Sequence, residues 1–405
     1  MDRSDFGLIA LAPNDWRGQW VNRQQLLSRV GQRWPVVYSN GAWTIWERGS
    51  EEWRRSSVGG RFVRLNDVWV DEPSRVLMRW PRFGVWDRLL IRAQAQRLRR
   101  RLSAAGAHKR IAYVCHPVFL PYLKHLDAER LVYHAYDLFE FQPGWSAQLE
   151  AAEMELLRRA NLVLAPSEGI AGELAKKGGR PVHVLLNAAD VPAFLAAARS
   201  VAAEPADLTG IPHPRVGYVG SLHPQVDYAL LRSLAEQRSD YHWVLIGPRQ
   251  REKDLVADPH FRALLGMGNV HMLDSKDHDE IPAYTVNMDV NVMIYKSTDS
   301  SWTRLAYPLK LHEYLASGRP IVTMDLPMLR PLSHVIRFAR GVDDWLAALD
   351  DAVHSGGTGT PAQRQSAAAG HSWDARSSEL EACLLQIIRE PSRSVQPRAV
   401  VSAPA

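Results

Sequence analysis

The chain has 405 residues, 46% apolar and 23% charged, which suits two or three soluble domains and excludes collagen-like, disordered and disulfide-framed classes. Its 49 Lys and Arg against 44 Asp and Glu leave a net charge of only +5, yet residues 48–110 hold sixteen basic and six acidic side chains, so that stretch carries +10 and the rest −5. A basic surface of that size points to an anionic partner, a phospholipid leaflet or a nucleic acid. Cys115 and Cys383 are too few for a disulfide framework or a thiolate metal site and indicate a reducing compartment, with the cytoplasm as default. No run of roughly 18 residues is free of charge and strong polarity, and Met1-Asp2-Arg3-Ser4-Asp5 lacks the basic-then-apolar order of a signal peptide, so neither a membrane span nor export by that route is predicted.

In chain order, the first clear element is an amphipathic helix over residues 86–102. Trp86, Leu89, Leu90, Ala93, Leu98 and Leu102 form an imperfect apolar stripe, and Arg88, Arg92, Arg97, Arg99, Arg100 and Arg101 surround it. Trp43, Trp46, Trp53, Trp69 and Trp80 precede it, and Trp with Arg is the pairing of a helix lying in a headgroup layer. The plain alternative is a sheet-covering helix with a solvated Arg face. Without a recognisable nucleic-acid module, nucleic-acid binding ranks lower.

A rhythm of short apolar strand, loop and amphipathic helix follows, which implies parallel sheets covered by helices on both faces. Residues 111–115, 131–136, 162–165 and 182–186 read as strands, with Ser146 and Ser167 as N-caps of helices and Gly178-Gly179 ending the second. Residues 202–214, with Pro205, Gly210, Pro212 and Pro214, read as a linker. The rhythm then restarts with strands at 215–220, 243–246, 270–273, 289–294 and 321–324. The expected class is α/β: two Rossmann-like doubly wound domains, residues 1–201 and 215–365, facing each other across a cleft, then a helix over 366–389 packing back toward the N-terminal domain and a disordered tail at 390–405.

The most informative segment runs from Tyr307 to Val322. Pro308 suits a first helical turn, Gly318 suits the position just past the helix, and residues 319–323 read as the next strand. Leu311, Tyr314 and Leu315 make an apolar stripe, while Lys310 and Glu313 share another face. A Lys at a helix N-terminus costs about 0.3–1 kcal/mol unless an anion is near. Backbone amides plus Lys310 would make a diphosphate site, with Glu313 one turn deeper accepting from vicinal hydroxyls such as those of a ribose. The alternative is a surface ion pair between the two.

Pro308-Leu-Lys-Leu-His-Glu-Tyr-Leu-Ala-Ser-Gly-Arg-Pro-Ile-Val resembles the donor-binding signature of GT-B glycosyltransferases that build bacterial polysaccharides. Val216-Gly-Tyr-Val-Gly-Ser-Leu222 with Asp227, Val244-Leu-Ile-Gly-Pro248, Asn269-Val-His271, Ile294-Tyr295, and Leu186-Asn-Ala-Ala-Asp190 with Phe194 follow the same pattern in order. The resemblance covers most of residues 110–350 and implies a nucleotide-diphosphate sugar, UDP-linked, as donor and no cofactor or metal. In detail the chain resembles the membrane-associated glucuronosyltransferase type of xanthan-like exopolysaccharide assembly, with Tyr295, Leu309 and Lys310 where that type places donor contacts. Gly220 and Ser221, and with them Gly247, would let loops approach the sugar or phosphate. The retaining branch would need an acid at position 305; Leu305 stands there, which favours inversion.

Inversion needs a base for the acceptor hydroxyl. Leu131-Val-Tyr-His-Ala-Tyr-Asp137 reads as a strand ending in an acid, and the family places its proposed catalytic acid in a similar segment; Asp137 is the choice and Glu140 the second, with a loop-capping role for Asp137 as the plain alternative. Asp277-His-Asp279 imitates a metal-binding D-x-D but reads as a helix start, Cys115-His116 as a packed cysteine beside a histidine, and Gly217-x-x-Gly220 lacks the dinucleotide fingerprint. The expectation is a metal-independent glycosyltransferase acting on a lipid-linked saccharide, peripheral on the inner face of the cell membrane. Trp86, Arg97, Arg99, Arg100 and Arg101 would meet the anionic surface. A nucleotide-sugar epimerase of the same fold and a catalytically inactive binding module are the alternatives.

Overall fold

Phe6–Leu11 is a continuous apolar run, and in the computed structural model it forms the buried strand β1 at the middle of a sheet, as such runs do in parallel sheets. The structure describes residues 5–200, 204–296, 305 and 307–391. Parts of three expectations therefore lie outside the described residues: the N-terminal residues 1–4, the linker's start at 202–203 and the tail over 392–405. The chain divides into two units. The first takes the chain up to Pro166, Ala171–Leu185 and the part from Ser377 onward; the second takes Ser167–Ile170 and Leu186–Arg376.

The first unit holds an eight-stranded sheet in the order β3-β4-β2-β1-β5-β6-β7-β8. Its other strands are β2 (Val36–Ser39), β3 (Arg61–Leu65), β4 (Val68–Glu72), β5 (Lys109–Val114), β6 (Arg130–His134), β7 (Leu162–Ala165) and β8 (His183–Val184). All neighbours pair in parallel except β3 with β4, a hairpin turned by Asn66 and Asp67 at φ 46° and 63°. Strands β1 to β4 were not predicted. The Gly84–Ala104 helix buries Leu90, Ile91, Ala95, Leu98 and Leu102, and packs on β1 and β2. Each fully buried leucine contributes about 1.5–3 kcal/mol, so the helix is held as a sheet-covering element. Ser146 caps the Ala147–Arg159 helix through the amide of Leu149, and the Ser167 hydroxyl accepts from Ile170.

The second unit holds a six-stranded parallel sheet in the order β11-β10-β9-β12-β13-β14. Its strands are β9 (Arg215–Val219), β10 (His242–Ile246), β11 (Val270–Leu273), β12 (Val290–Met293), β13 (Ile321–Met324) and β14 (Arg337–Ala339), the last of them not predicted. Both sheets are doubly wound. Strand order reverses between β1 and β5 in one and between β9 and β12 in the other, and such reversals open a crevice at the carboxyl edge of a parallel sheet. The Lys310–Ser317 helix joins the β12 side to β13 and ends at Gly318, with φ 74°. The Trp373–Arg389 helix begins in the second unit; from Ser377 it belongs to the first, where Arg130 donates to the carbonyls of Ile387 and Glu390, each at 2.6 Å.

Candidate functional site

The carboxyl edge of the second sheet brings together Gly220 after β9, Gly247 after β10, Tyr295 after β12 and Lys310 at the first turn of its helix. Gly220 and Gly247 sit at φ 143° and 142°, where only glycine is comfortable. A Cβ on Gly247 would lie 2.3 Å from the Gly220 carbonyl oxygen, and one on Gly220 would lie 2.7 Å from Lys310 Nζ. Two bare loop backbones thus pack on each other and against the ammonium. The Gly220 amide donates to Ile246 at 2.8 Å, and the Tyr314 hydroxyl accepts from the Val219 amide at 2.8 Å, which ties the helix to the end of β9.

Lys310 is 9% exposed. Its Nζ lies 3.4 Å from the Tyr218 ring centroid and 5.6 Å from that of Tyr295, on which His223 stacks at 6.1 Å. Among the described residues no hydrogen bond or ion pair joins Lys310 to Glu313, so the surface ion pair is not what forms. Burial pushes the Lys310 amine down to about 7, the nearby Glu313 opposing it, and burial pushes the half-buried Glu313 carboxyl up to about 7, with Lys310 opposing. A lysine held by aromatic faces at a helix N-terminus, beside glycine backbone, can receive an anion. Ser221 and Leu309 border this edge, half-buried; Ser221 Oγ accepts from Gln250 at 3.1 Å. Pro308 lies ahead of the helix rather than in its first turn. Leu305 packs where a Cβ on Gly169 would meet its side chain at 2.6 Å, and its carbonyl accepts from Ser167 at 3.0 Å.

Asp137 lies in the first unit, half-buried, three residues past the end of β6 rather than at the end of a strand. Its two oxygens accept from the Leu138 amide and from Gln142 Nε2, both at 2.8 Å, and burial raises its carboxyl above the usual range against those bonds. It therefore caps its own loop, and a raised carboxyl is also a stronger base. Glu140 is exposed and lies 3.4 Å from Lys177.

The basic segment is not uniform. Arg97 pairs with Asp71 at 2.6 Å, Arg99 with Asp127 at 2.9 Å, and Arg101 lies 3.3 Å from the Trp69 ring centroid; Arg100 is exposed. Trp86 is 45% exposed, with its indole N–H on the Met78 carbonyl at 3.0 Å. The apolar surface lies at the helix start and just before it: Leu77, Trp80, Phe83, Val85, Trp86 and Leu89 are all exposed, interleaved with exposed Arg82, Arg88 and Arg92. Sequence reasoning missed Leu77, Phe83 and Val85; periodicity could not find them because part of this patch precedes the helix.

The lookalikes fall into local structure. Asp277 donates its amide to Glu280 and leads a turn into the Ile281–Val286 helix. Cys115 is buried, its thiol pushed up to about 12. No group of three or more His, Cys, Asp or Glu side chains suited to a metal occurs among the described residues, and none of their helices is long and apolar enough to cross a membrane.

Residues 213–354, which carry the Gly220, Gly247 and Lys310 edge, match the family model described as "Glycosyl transferases group 1". This stretch, about a third of the chain, is similar to group 1 glycosyltransferases. The match favours transfer over the epimerase alternative. Among curated proteins the chain is 27% identical over 219 residues to "Putative teichuronic acid biosynthesis glycosyltransferase TuaH" of Bacillus subtilis (strain 168), covering 52% of this chain and 53% of that one. The chain thus spans about half the length of the curated relative it matches. Solved structures share the GT-B fold: HepE of Anabaena in complex with UDP and glucose (16% identity, 94% of this chain and 99% of that one, TM-score 0.66) and sucrose-phosphate synthase of Thermosynechococcus elongatus (14% identity, 94% and 99%, TM-score 0.67). At those identities the likeness is one of fold.

Proposed function

We propose that the protein transfers a sugar from a UDP-linked donor to a lipid-linked saccharide during cell-surface polysaccharide synthesis, with inversion and without a metal. The observation that carries this reading is Lys310: a buried amine against the backbone of Gly220, at the start of a helix in the stretch that matches the group 1 glycosyltransferase model. The helix amides and Lys310 hold the diphosphate, Glu313 accepts from the ribose hydroxyls, and Tyr295, Leu309, Ser221 and Gly247 border the donor. Sharing Tyr295, Leu309 and Lys310 with the membrane-associated glucuronosyltransferase type favours a hexosyl or glycuronosyl donor. The name of the Bacillus subtilis relative, and the UDP and glucose bound by HepE, support a nucleotide sugar and a surface polysaccharide.

In the reaction the acceptor oxygen attacks the anomeric carbon while Asp137 takes its proton. The bond from that carbon to the diphosphate breaks, and the leaving UDP keeps the electron pair against Lys310. Leu305 supports inversion because it places an apolar side chain where a retaining enzyme of this pattern needs an acid. Calorimetry and turnover test the reading together. Wild type should bind UDP, and Asp137→Asn should bind it equally but turn over about 10²–10⁴ times more slowly. No binding of any nucleoside diphosphate overturns the donor site, and wild-type turnover in Asp137→Asn overturns the base.

The lipid-linked acceptor is met at the inner face of the membrane by the exposed apolar and basic patch around Phe83 and Trp86. Its Trp and Arg composition favours the headgroup layer of an anionic leaflet, and each cation near such a surface adds about 1 kcal/mol. Arg97, Arg99 and Arg101 are already engaged by Asp71, Asp127 and Trp69. Flotation with phosphatidylglycerol vesicles should therefore fall about tenfold or more for Phe83→Ser with Trp86→Ser, and little for Arg97→Gln with Arg99→Gln. Equal recovery of the apolar variant and wild type removes the membrane step.

A further inference from the structure

Arg23 is the second residue of the Asn22–Gly31 helix, which follows β1, and it is 3% exposed. Its Nε and Nη1 are buried without a hydrogen-bond partner, and no carboxylate pairs with it among the described residues. The groups its charge reaches are neutral, Tyr136 among them sharing a hydrogen bond with it, while the Asp15 and Asp137 carboxylates act on Tyr38 and Tyr136 without pairing with the guanidinium. Its guanidinium carbon lies 3.9 Å from the centroid of the Tyr136 ring, and its charge reaches Tyr38, Tyr113, His116 and His134. Burial pushes the His116 imidazole down to about 4 and that of His134 to about 3, and raises the phenols, so none of these carries charge near neutral pH. Asp137, next to Tyr136, spends its two oxygens on Leu138 and Gln142.

The helix start adds to the imbalance, since its first turn holds no acidic residue and its N-cap, Val21, has no side-chain acceptor; only the neutral Gln24 side chain reaches back, accepting from the Val21 amide at 3.3 Å. A buried cation without a counter-charge is expensive, and a helix N-terminus beside it makes the surroundings more positive. The position is also specific. His116 follows β5, Tyr136 follows β6 and the helix follows β1, so the cluster lies at the carboxyl edge where the first sheet reverses its strand order. Half-buried His116 and Tyr136 stand on the solvent side of this cluster.

We propose that Arg23, with the start of the Asn22–Gly31 helix, binds a carboxylate or phosphate group of a ligand seated at the β1/β5 edge of the first unit. The guanidinium suits either anion through two parallel N–H bonds. On the functional reading above, on which this clause alone rests, the ligand is the acceptor, and the anion is a sugar-acid carboxylate or a lipid phosphate.

Thermal unfolding of the full chain tests the site, with glucuronate, inorganic phosphate and, for ionic strength, matched sodium chloride as probes. Wild type should gain about 2–4 °C over the chloride control with one or both anions. Arg23→Gln should lose that gain, and Arg23→Lys, which keeps charge but not the fork, should bind at least about tenfold more weakly. The UDP-induced shift should stay the same in all three proteins. Response to glucuronate alone assigns a carboxylate, response to phosphate alone a phosphate. No gain beyond chloride in wild type, or an equal gain in Arg23→Gln, overturns the proposal; should Arg23→Gln not fold, undiminished binding by Arg23→Lys does so. Anion binding without UDP binding would leave the site standing and remove the glycosyltransferase reading.

Discussion

Each sheet keeps one buried cation near the start of a helix at the edge where its strand order reverses: Lys310 in the second unit and Arg23 in the first. The two are accommodated differently. Lys310 rests on the faces of Tyr218 and Tyr295 with Glu313 near, and burial pushes its amine to about 7, so it can shed its proton when no anion is bound. An arginine keeps its charge in any protein environment, and Arg23 has the face of Tyr136 and no carboxylate. On the proposed reading, the lysine edge can therefore stand empty at little cost and still charge when a diphosphate arrives. The arginine edge asks for its anion all the time. Donor and acceptor sides, on this view, solve the same electrostatic problem with a switchable and a fixed charge.

The sharpest way to break the lysine side is through the backbone that supports it. Gly247→Ala puts a methyl 2.3 Å from the Gly220 carbonyl oxygen at a φ of 142°, so the two loops must separate. The expected loss is about 3 kcal/mol of stability in the second unit, together with loss of UDP binding, read by denaturant unfolding and calorimetry. Gly268→Ala, whose added methyl meets nothing within 4 Å, should stay within about 0.5 kcal/mol of wild type. Equal behaviour of the two variants would mean that the close approach does not hold the edge together.

This side was largely legible in the sequence; on the other, the runs at β5 to β8 read as strands, but β1 to β4 and Arg23 did not show. Lys310, Glu313 and Gly318 sit in one short helix whose apolar stripe and glycine stop are local signals, and the runs at β9, β10 and β13 are uninterrupted. Strand β1 hides behind a charged N-terminus, and β3 and β4 hide in a segment where charge drew attention away from alternation; the Asn66-Asp67 pair between them was the missed turn signal. Arg23 could not be found by pattern. A lone arginine beside Gln24 and Gln25 reads as solvated, and only the packing of Tyr136 over it shows otherwise. Charge counting misled in the same way over 97–101, because Asp71 and Asp127, distant in sequence, take up two of those arginines.

The two cations differ most finely in their response to pH. If Lys310 holds the diphosphate as proposed, its amine, brought down to about 7 by burial, must be protonated to do so, and the bound diphosphate raises it again. Below about pH 7 the charge is already present and binding takes up no proton. Above it each binding event takes one up, so affinity falls by up to about tenfold per pH unit. Glu313, pushed up to about 7, loses its proton over the same range; its carboxylate repels the diphosphate but accepts more strongly from the ribose hydroxyls, so the two effects oppose each other and the net slope is that of Lys310. Calorimetry with UDP-glucose, whose diphosphate does not titrate there, should show affinity roughly constant from pH 6 to 7 and falling toward pH 8.5, with an enthalpy that depends on buffer ionisation only in the upper range. Lys310→Met should bind about 30- to 100-fold more weakly at pH 6, equivalent to about 2–3 kcal/mol for a lost charge-assisted contact, and should lose most of the slope. A slope that survives Lys310→Met in full would assign the titration to Glu313 and take away the switchable charge on which the contrast with Arg23 rests.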